Sequence, residues 1–343
     1  MAGSGRKTFS PGDVLTSSDV QNYLMDQSVM VFAGTAARAS AIPSPSTGMV
    51  AYSTATSLQV YNGSAWVAAT TGYGVASGTA ASSTAITVSA VNYTLLAFTS
   101  TSNLVVSTAG LFDVMLVASG GGGGSNTGAG NINGGGGGAG GLITSTIYLS
   151  AGTYSVGIGA GGANETNGND TTIGSVTVGS TVAPIAIGGG GGLSTTANTG
   201  QSTYGGSAGA PRSDQPPGTK KVVGQGNNSG DGVRTLFASS GAAGGGGAGA
   251  VGGDGSALVG GVGGIGFDAS TFRGQVPTTT YYSGGGGGQR QSGSSGAGGL
   301  GGGGAGSNAG TGTNGTANTG GGAGGGVTGG QGGSGIALIR FKV

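Results

Sequence analysis

The sequence predicts a mainly β chain in which extended glycine helices are inserted between the strands of a sandwich. Three observations lead there. Of the 89 glycines in 343 residues, only 10 lie in residues 1–119, and 79 fall between Gly120 and Gly335. Short runs of alternating or continuous apolar residues, bounded by turn residues, recur along the chain, as in sandwiches and jelly rolls. Two of these runs, Phe112–Val117 and Ala183–Ile187, lead directly into polyglycine, and Ile336–Phe341 emerges from it after Gly335. The glycines are therefore an insertion and not a tail.

The glycine tracts span 120–141, 188–210, 241–266 and 284–335, with runs such as Gly134–Gly138, Gly244–Gly247 and Gly284–Gly288. Glycine loses the most conformational freedom on folding and has no side chain to bury. Such tracts order only when their amide and carbonyl groups find partners. A polyproline II helix has about 3 residues per turn and no internal hydrogen bonds, so its backbone groups point outward. Made of glycine, such helices approach closely, bond to neighbours on several sides and add Cα–H···O contacts. Collagen would need a Gly-X-Y repeat, but Gly284–Gly288 has no X-Y pattern, and only 8 prolines are present. A bundle of polyglycine II helices is expected. A flexible glycine-rich linker is the competing reading.

Residues 1–70 read as a short helix plus a hairpin, with too little core to stand alone. Thr16-Ser17-Ser18-Asp19 is close to a capping box, and Val20, Tyr23, Leu24, Gln27 and Val31 follow at roughly helical spacing, ending near Gly34. Pro43 and Pro45 interrupt the chain, Gly48–Tyr52 and Leu58–Tyr61 read as strands, Asn62-Gly63 as a turn and Trp66 as an anchor beyond it. Residues 71–343 form the second region. Its candidate strands are Ala85–Val88, Thr94–Phe98, Leu104–Val106, Phe112–Val117, Ile143–Leu149, Tyr154–Ile158, Ser175–Val178, Ala183–Ile187 and Ile336–Phe341.

Composition excludes several functions. The chain has 11 Lys+Arg against 10 Asp+Glu, no cysteine and no histidine. That balance gives no electrostatic footprint for nucleic acid. No apolar run reaches the length of a membrane span, and Met1–Pro11 lacks a signal-peptide core. Disulfide staples and histidine triads are impossible. Gly-x-Gly-x-x-Gly recurs here through composition alone, without the strand-to-helix context a dinucleotide site needs. Gly218-Thr219-Lys220-Lys221 is not a phosphate loop. Glu165 and Asp170 could pair as catalytic carboxylates or hold calcium, but their surroundings read first as a polar turn. No enzyme activity, metal or cofactor is expected.

Interruptions of the glycine tracts are more informative, because side chains do not fit between close-packed glycine helices. Arg212, Lys220, Lys221, Arg234, Arg273, Tyr281, Tyr282 and Arg290 are candidates for surface recognition, since aromatic and Arg residues anchor binding surfaces. Phe237, Ile265, Phe267 and Phe272 are read instead as inward plugs that end the bundle. Val20, Tyr23, Leu24 and Trp66 are candidates for attachment to a partner.

Residues 6–66 resemble the N-terminal part of tail-fibre and minor tail proteins of actinobacterial phages. The likeness rests on Arg6-Lys7-Thr8-Phe9, Asp19–Gln27, Ala41-Ile42-Pro43-Ser44-Pro45 and Leu58–Trp66. Residues 112–343 resemble the glycine-rich domain of many phage and bacterial surface proteins, through an apolar strand leading into polyglycine, Val156–Gly162, and Gly332–Phe341. A similar arrangement occurs in the anaplastic lymphoma kinase receptor ectodomain, where a jelly-roll-like, tumour-necrosis-factor-like sandwich carries a polyglycine II bundle. Certain long-tail-fibre tip adhesins also use polyglycine II sandwiches. The resemblance implies a virion protein made in the host cytoplasm. It would attach to other virion proteins through residues 1–70 and present its glycine-rich region to a host glycan or protein, without membrane insertion. A homotrimer is expected on the same ground, with a monomeric sandwich as the alternative. A head fibre or capsid-decorating protein and a secreted ice- or surface-binding protein remain as alternative functions.

Overall fold

The computed structural model describes residues 12, 14, 16–19, 29–54, 57–68, 72–126, 133–174, 184–193, 204–213, 219–232, 241–275, 280–290 and 292–343. The chain divides into two compact units, Met1–Gly72 and Tyr73–Val343. Among the described residues no helix is long and apolar enough to cross a membrane.

The first unit contains a helical turn, α1 (Ser17–Asp19), a helix, α2 (Thr35–Ala41), and four strands: β1 (Met30–Phe32), β2 (Val50–Ser53), β3 (Ser57–Tyr61) and β4 (Trp66–Ala68). They form one sheet in the order β1-β2-β3-β4, with β1 parallel to β2 and the rest antiparallel. One expectation is corrected here. The N-terminal helix was to run to Val31, but Met30 pairs with Ala51 and Val31 with Tyr52. The run Val29-Met30-Val31-Phe32 has the β-branched and aromatic character that suits a strand. Val20, Tyr23 and Leu24 lie outside the described residues. The Asn62-Gly63 turn joins β3 to β4: Asn62 N–H donates to the Ala65 carbonyl, its side-chain oxygen accepts from Ser64 and Ala65, and Gly63 has φ 101°. Trp66 is half-buried; the Arg38 guanidinium stands 4.6 Å from its ring and Tyr61 5.6 Å away. Arg38 also donates to the Gln59 side chain.

The second unit is built on two five-stranded sheets. One has the order β10 (Leu142–Leu149), β9 (Gly110–Val117), β16 (Ile336–Lys342), β7 (Val91–Phe98), β6 (Ser82–Val88). The other has the order β13 (Ile185–Ala186), β12 (Thr171–Ile173), β11 (Gly152–Gly157), β8 (Ser102–Thr108), β5 (Val75–Gly78). Pairing is antiparallel throughout. Period-two alternation sends Phe112, Val114 and Leu116 of β9 inward against Leu104 and Val106 of β8, Tyr154 and Val156 of β11, and Ile339 and Phe341 of β16. The mainly β fold with a sandwich therefore holds. The outward residues Met115, Val117, Leu95, Ile336 and Leu338 are covered by a second apolar cluster with Ala269 and Tyr282. This cover is a two-stranded ribbon, β14 (Phe267–Asp268) and β15 (Tyr281–Tyr282), with the helical turn α3 (Ser270–Arg273). Strands β5, β12, β14 and β15 had no counterpart in the sequence reading, being short or polar. The predicted strand Ser175–Val178 lies outside the described residues.

Where β9 and β10 end, their ladder continues with a different period. Ala118, Gly121 and Gly124 donate to the carbonyls of Gly141, Gly138 and Gly135; Gly120 and Gly123 donate to Gly333 and Gly330; Gly122 donates to Thr166. Every third residue faces the same neighbour, as three residues per turn require. Helix 133–141 shows the full pattern. Its N–H groups reach segments around 187–193, 243–246 and 320–323, and its carbonyls accept from 118–124, 207–210 and 286–289. It thus has six neighbours, bonded by backbone except at its start, where Asn133 and Gly134 donate to the Ser213 hydroxyl and the Gln289 side chain. Helix 284–290 is likewise surrounded, donating to 261–264, 134–137 and 301–304 and accepting from 242–245, 296–299 and 322–325. This is an ordered bundle and not a linker.

Glycine is required here for approach and not for φ: neither helix contains a positive-φ glycine. An added Cβ would lie under 3.0 Å from the Gly286 carbonyl at Gly136, from Gly137 at Gly245 and from Ala323 at Gly286. A methyl is nevertheless accommodated at some sites. Ala139, Ala208, Ala242 and Ala323 are fully buried.

Candidate functional site

An open groove of about 470 Å³ lies beside the first turn of the sheet edge, lined by Leu142, Ile143 and Thr144 of β10, Lys221 and Val223 to Asn227, Ala248 and Phe267. Its wall is the turn Val222–Gln225. Gln225 N–H donates to the Val222 carbonyl at 3.1 Å, and Gly224 has φ 83°, the left-handed position a type II turn demands. Gln225 then staples the turn down. Its carbonyl accepts from Leu142 N–H, its Oε1 accepts from Ile187 N–H at 2.8 Å, and its Nε2 donates to Ile185 at 3.0 Å. Asn227 fixes the other end by donating to the Gly247 and Ala248 carbonyls.

Phe267 stands opposite, 38% exposed, with Tyr282 as its cross-strand partner. The ribbon is pinned here by side-chain hydrogen bonds. Asp268 accepts from the Ser270 hydroxyl and, at 2.9 Å, from its N–H, and these bonds lower the Asp268 pKa from its ordinary value. Among the described residues, Lys221 is the one charged residue lining the groove and no carboxylate lines it. Leu142 N–H points away from β9 to Gln225, so by strand alternation the N–H and carbonyl of Thr144 also face the open edge.

The structure does not gather the sequence-predicted residues into one site. Lys221 lines the groove, and Lys220 is exposed beside it. Arg273 and Tyr281 are half-buried in the sheet cover, where Arg273 Nη1 donates to the Tyr282 hydroxyl and Nε to Gln275 at 3.0 Å. Tyr282 is only 5% and Arg290 only 4% exposed, so neither offers its side chain to a surface. Tyr282 faces the outer apolar cluster, and Arg290 folds back near the turn at Gly293. Arg212 is half-buried, and Arg234 and Phe237 lie outside the described residues.

Two residues read as inward plugs face outward instead: Ile265 is 47% and Phe267 38% exposed. Ile265 shares its face with Val259 and Val262 at three-residue spacing, on a helix bonded to neighbours on its inner sides. Phe272 does pack inward, 4.4 Å from the Arg340 guanidinium. Sequence reasoning missed Thr144, Val223 and Asn227, since nothing local marks them as neighbours of Phe267. Glu165 and Asp170 accept backbone N–H bonds from Ser125 and Gly188 at 3.3 and 2.9 Å, and so serve the turn.

The fold is a sandwich whose loops are ordered as a polyglycine bundle, with this groove on its flank. A family model described as glycine-rich domain matches residues 96–342, and the chain belongs to that family. No curated protein matches the chain.

Proposed function

We propose that the protein is a non-enzymatic virion component, a tail-fibre or minor tail protein of a phage. It would be anchored by residues 1–70 and would present the glycine-rich unit to the host surface. The topology of the second unit is the observation that carries the reading. The chain enters at Tyr73, which bridges to Leu111 at the start of β9, while the polyglycine leaves from the opposite end, after Val117. A rigid bundle is thereby held at the far end from the point of attachment. Its described interior is mainly backbone bonded to backbone, an arrangement suited to display. The resemblance of residues 6–66 to phage tail proteins supplies the setting, and with it the expectation of a homotrimer.

Antibody labelling of particles tests the assignment. Labelling at the tail is expected. Labelling of capsid vertices would favour a head fibre, and absence from particles would remove the virion reading, leaving a secreted surface-binding protein. Light scattering tests the trimer, since a mass of 31.5 kDa in solution would identify a monomer.

A further inference from the structure

We propose that the groove between β10 and Phe267 binds a carboxylate-bearing sugar, such as a uronic acid residue of a surface glycan. The inference rests on the display function above and gives its ligand a chemical class. The volume lies within the range of small-molecule sites, about 300–1,000 Å³, which combine apolar walls with a few placed polar groups. Here the apolar walls are Leu142, Val223 and Phe267. Val223 is 87% exposed, and together with the Phe267 ring it offers contact area suited to the C–H face of a pyranose.

The polar groups select among sugars. Thr144 presents a hydroxyl and, from the open strand edge, one N–H donor and one carbonyl acceptor, the complement of adjacent sugar hydroxyls. Lys221 is the single charge, and its ammonium has no hydrogen bond or ion pair among the described residues. With no carboxylate among the described residues that line the groove, it is left to pair with an anion on the ligand. A neutral sugar would leave that charge unused. A basic one would be repelled.

The test is a titration of the full chain, followed by ¹H–¹⁵N spectra, with methyl β-D-glucuronide and with its neutral counterpart, methyl β-D-glucoside. The glucuronide is expected to shift Thr144, Lys221 and Phe267 and to bind about tenfold more tightly than the glucoside, the value of one charge-assisted contact. Lys221→Gln should abolish that preference, and Phe267→Ala should weaken both sugars alike. Both positions are at the surface, so unchanged spectra elsewhere will show that the variants are folded. Equal shifts from the two sugars, or none from the glucuronide over a millimolar titration, would overturn the site. So would shifts produced only by an extended uncharged peptide, which would reassign the Thr144 edge to strand addition. Binding of the glucuronide by a chain absent from particles would keep this site and reject the fibre. Tail labelling without binding would do the reverse.

Discussion

The sandwich and the bundle of the second unit solve one problem in two ways. In the sandwich, each strand bonds to neighbours in one plane, and the third dimension is filled by side chains such as Phe98, Phe112 and Leu116, all fully buried. In the bundle, the backbone turns by a third of a circle per residue, so neighbours are bonded all round and little room remains for side chains beyond a few such as Ala139 and Ala323. One region is stabilised mainly by buried apolar area, the other by satisfied amides and close contact. The junction is at Val117-Ala118, where a period of two becomes a period of three.

The largest expected effect is in the sandwich. Phe112 packs edge-on against Phe341 at 5.7 Å in the middle of the inner cluster. Phe112→Ala should cost about 3–5 kcal/mol, as truncations of buried aromatics do, and would be read as a drop in the urea midpoint. If the bundle, rather than the sandwich, dominates stability, this variant will unfold near the parent.

The bundle should fail by addition where the sandwich fails by removal. Gly136→Ala and Gly286→Ala each place a methyl under 3.0 Å from a carbonyl of a fully surrounded helix. Overpacking of this kind costs about 1–3 kcal/mol. The matched control is Gly310→Ala, where the nearest atom to an added Cβ is 3.6 Å away and φ is not positive. Thermal unfolding should separate the two interior variants from the control. Ser125 would not serve as a control, because it is 1% exposed and its hydroxyl bonds Asn164 and Gly329. Equal melting of all three glycine variants would remove close approach as the reason for glycine.

This contrast also explains what was legible in the sequence. Strands such as Phe112–Val117 and Ile336–Phe341 were readable because apolar side chains record which face is buried. The presence of a glycine bundle was readable from composition, since nothing else orders such tracts. Its wiring was not. Gly121 bonds to Gly138 and Gly120 to Gly333, yet a glycine carries no mark of its neighbour. For the same reason the groove was only partly visible: Lys221 stood out in the charged break between two glycine tracts, whereas its meeting with Phe267 depends on how glycine helices are ordered. The expected helix does not reach Val31, because the β-branched and aromatic run at its end favours the strand Met30–Phe32.

A smaller effect is expected where the sheet is tied to its cover. Arg340 Nε donates to Asp113 at 3.1 Å, its Nη1 donates to the Thr271 and Phe272 carbonyls, and its guanidinium lies 4.7 Å from the Tyr93 ring and 4.4 Å from Phe272. Asp113→Ala leaves Arg340 with these other partners but removes the acceptor of the Tyr73 and Thr146 hydroxyls. The cost should therefore be about 1–2 kcal/mol, not the several of an orphaned buried charge. Faster proteolysis within residues 267–282 than in the parent would show the cover loosening first, and uniform protection would show that the cover is held by its apolar contacts alone.

The smallest effect belongs to Tyr73, where the chain enters the sandwich. Its hydroxyl donates to Asp113 at 3.1 Å, and its phenol is pushed up to about 12, first by burial and then by that hydrogen bond to a carboxylate. In the unfolded chain a tyrosine ionises near about 10. Between these values the folded state keeps a proton that the unfolded state releases, so stability falls as pH rises. The contribution is fully present below about pH 10 and is lost as the pH passes through about 12. Tyr73 is only half-buried, and water screens the neighbouring charge, so the effect should appear as a shallow extra slope. Urea midpoints measured from neutral pH into that window should decline more steeply for the parent than for Tyr73→Phe, which has no proton to lose. Parallel declines would mean that the phenol ionises alike in both states, and that the sandwich is closed at this end by the Tyr73–Leu111 bridge and not by the Asp113 hydrogen bond.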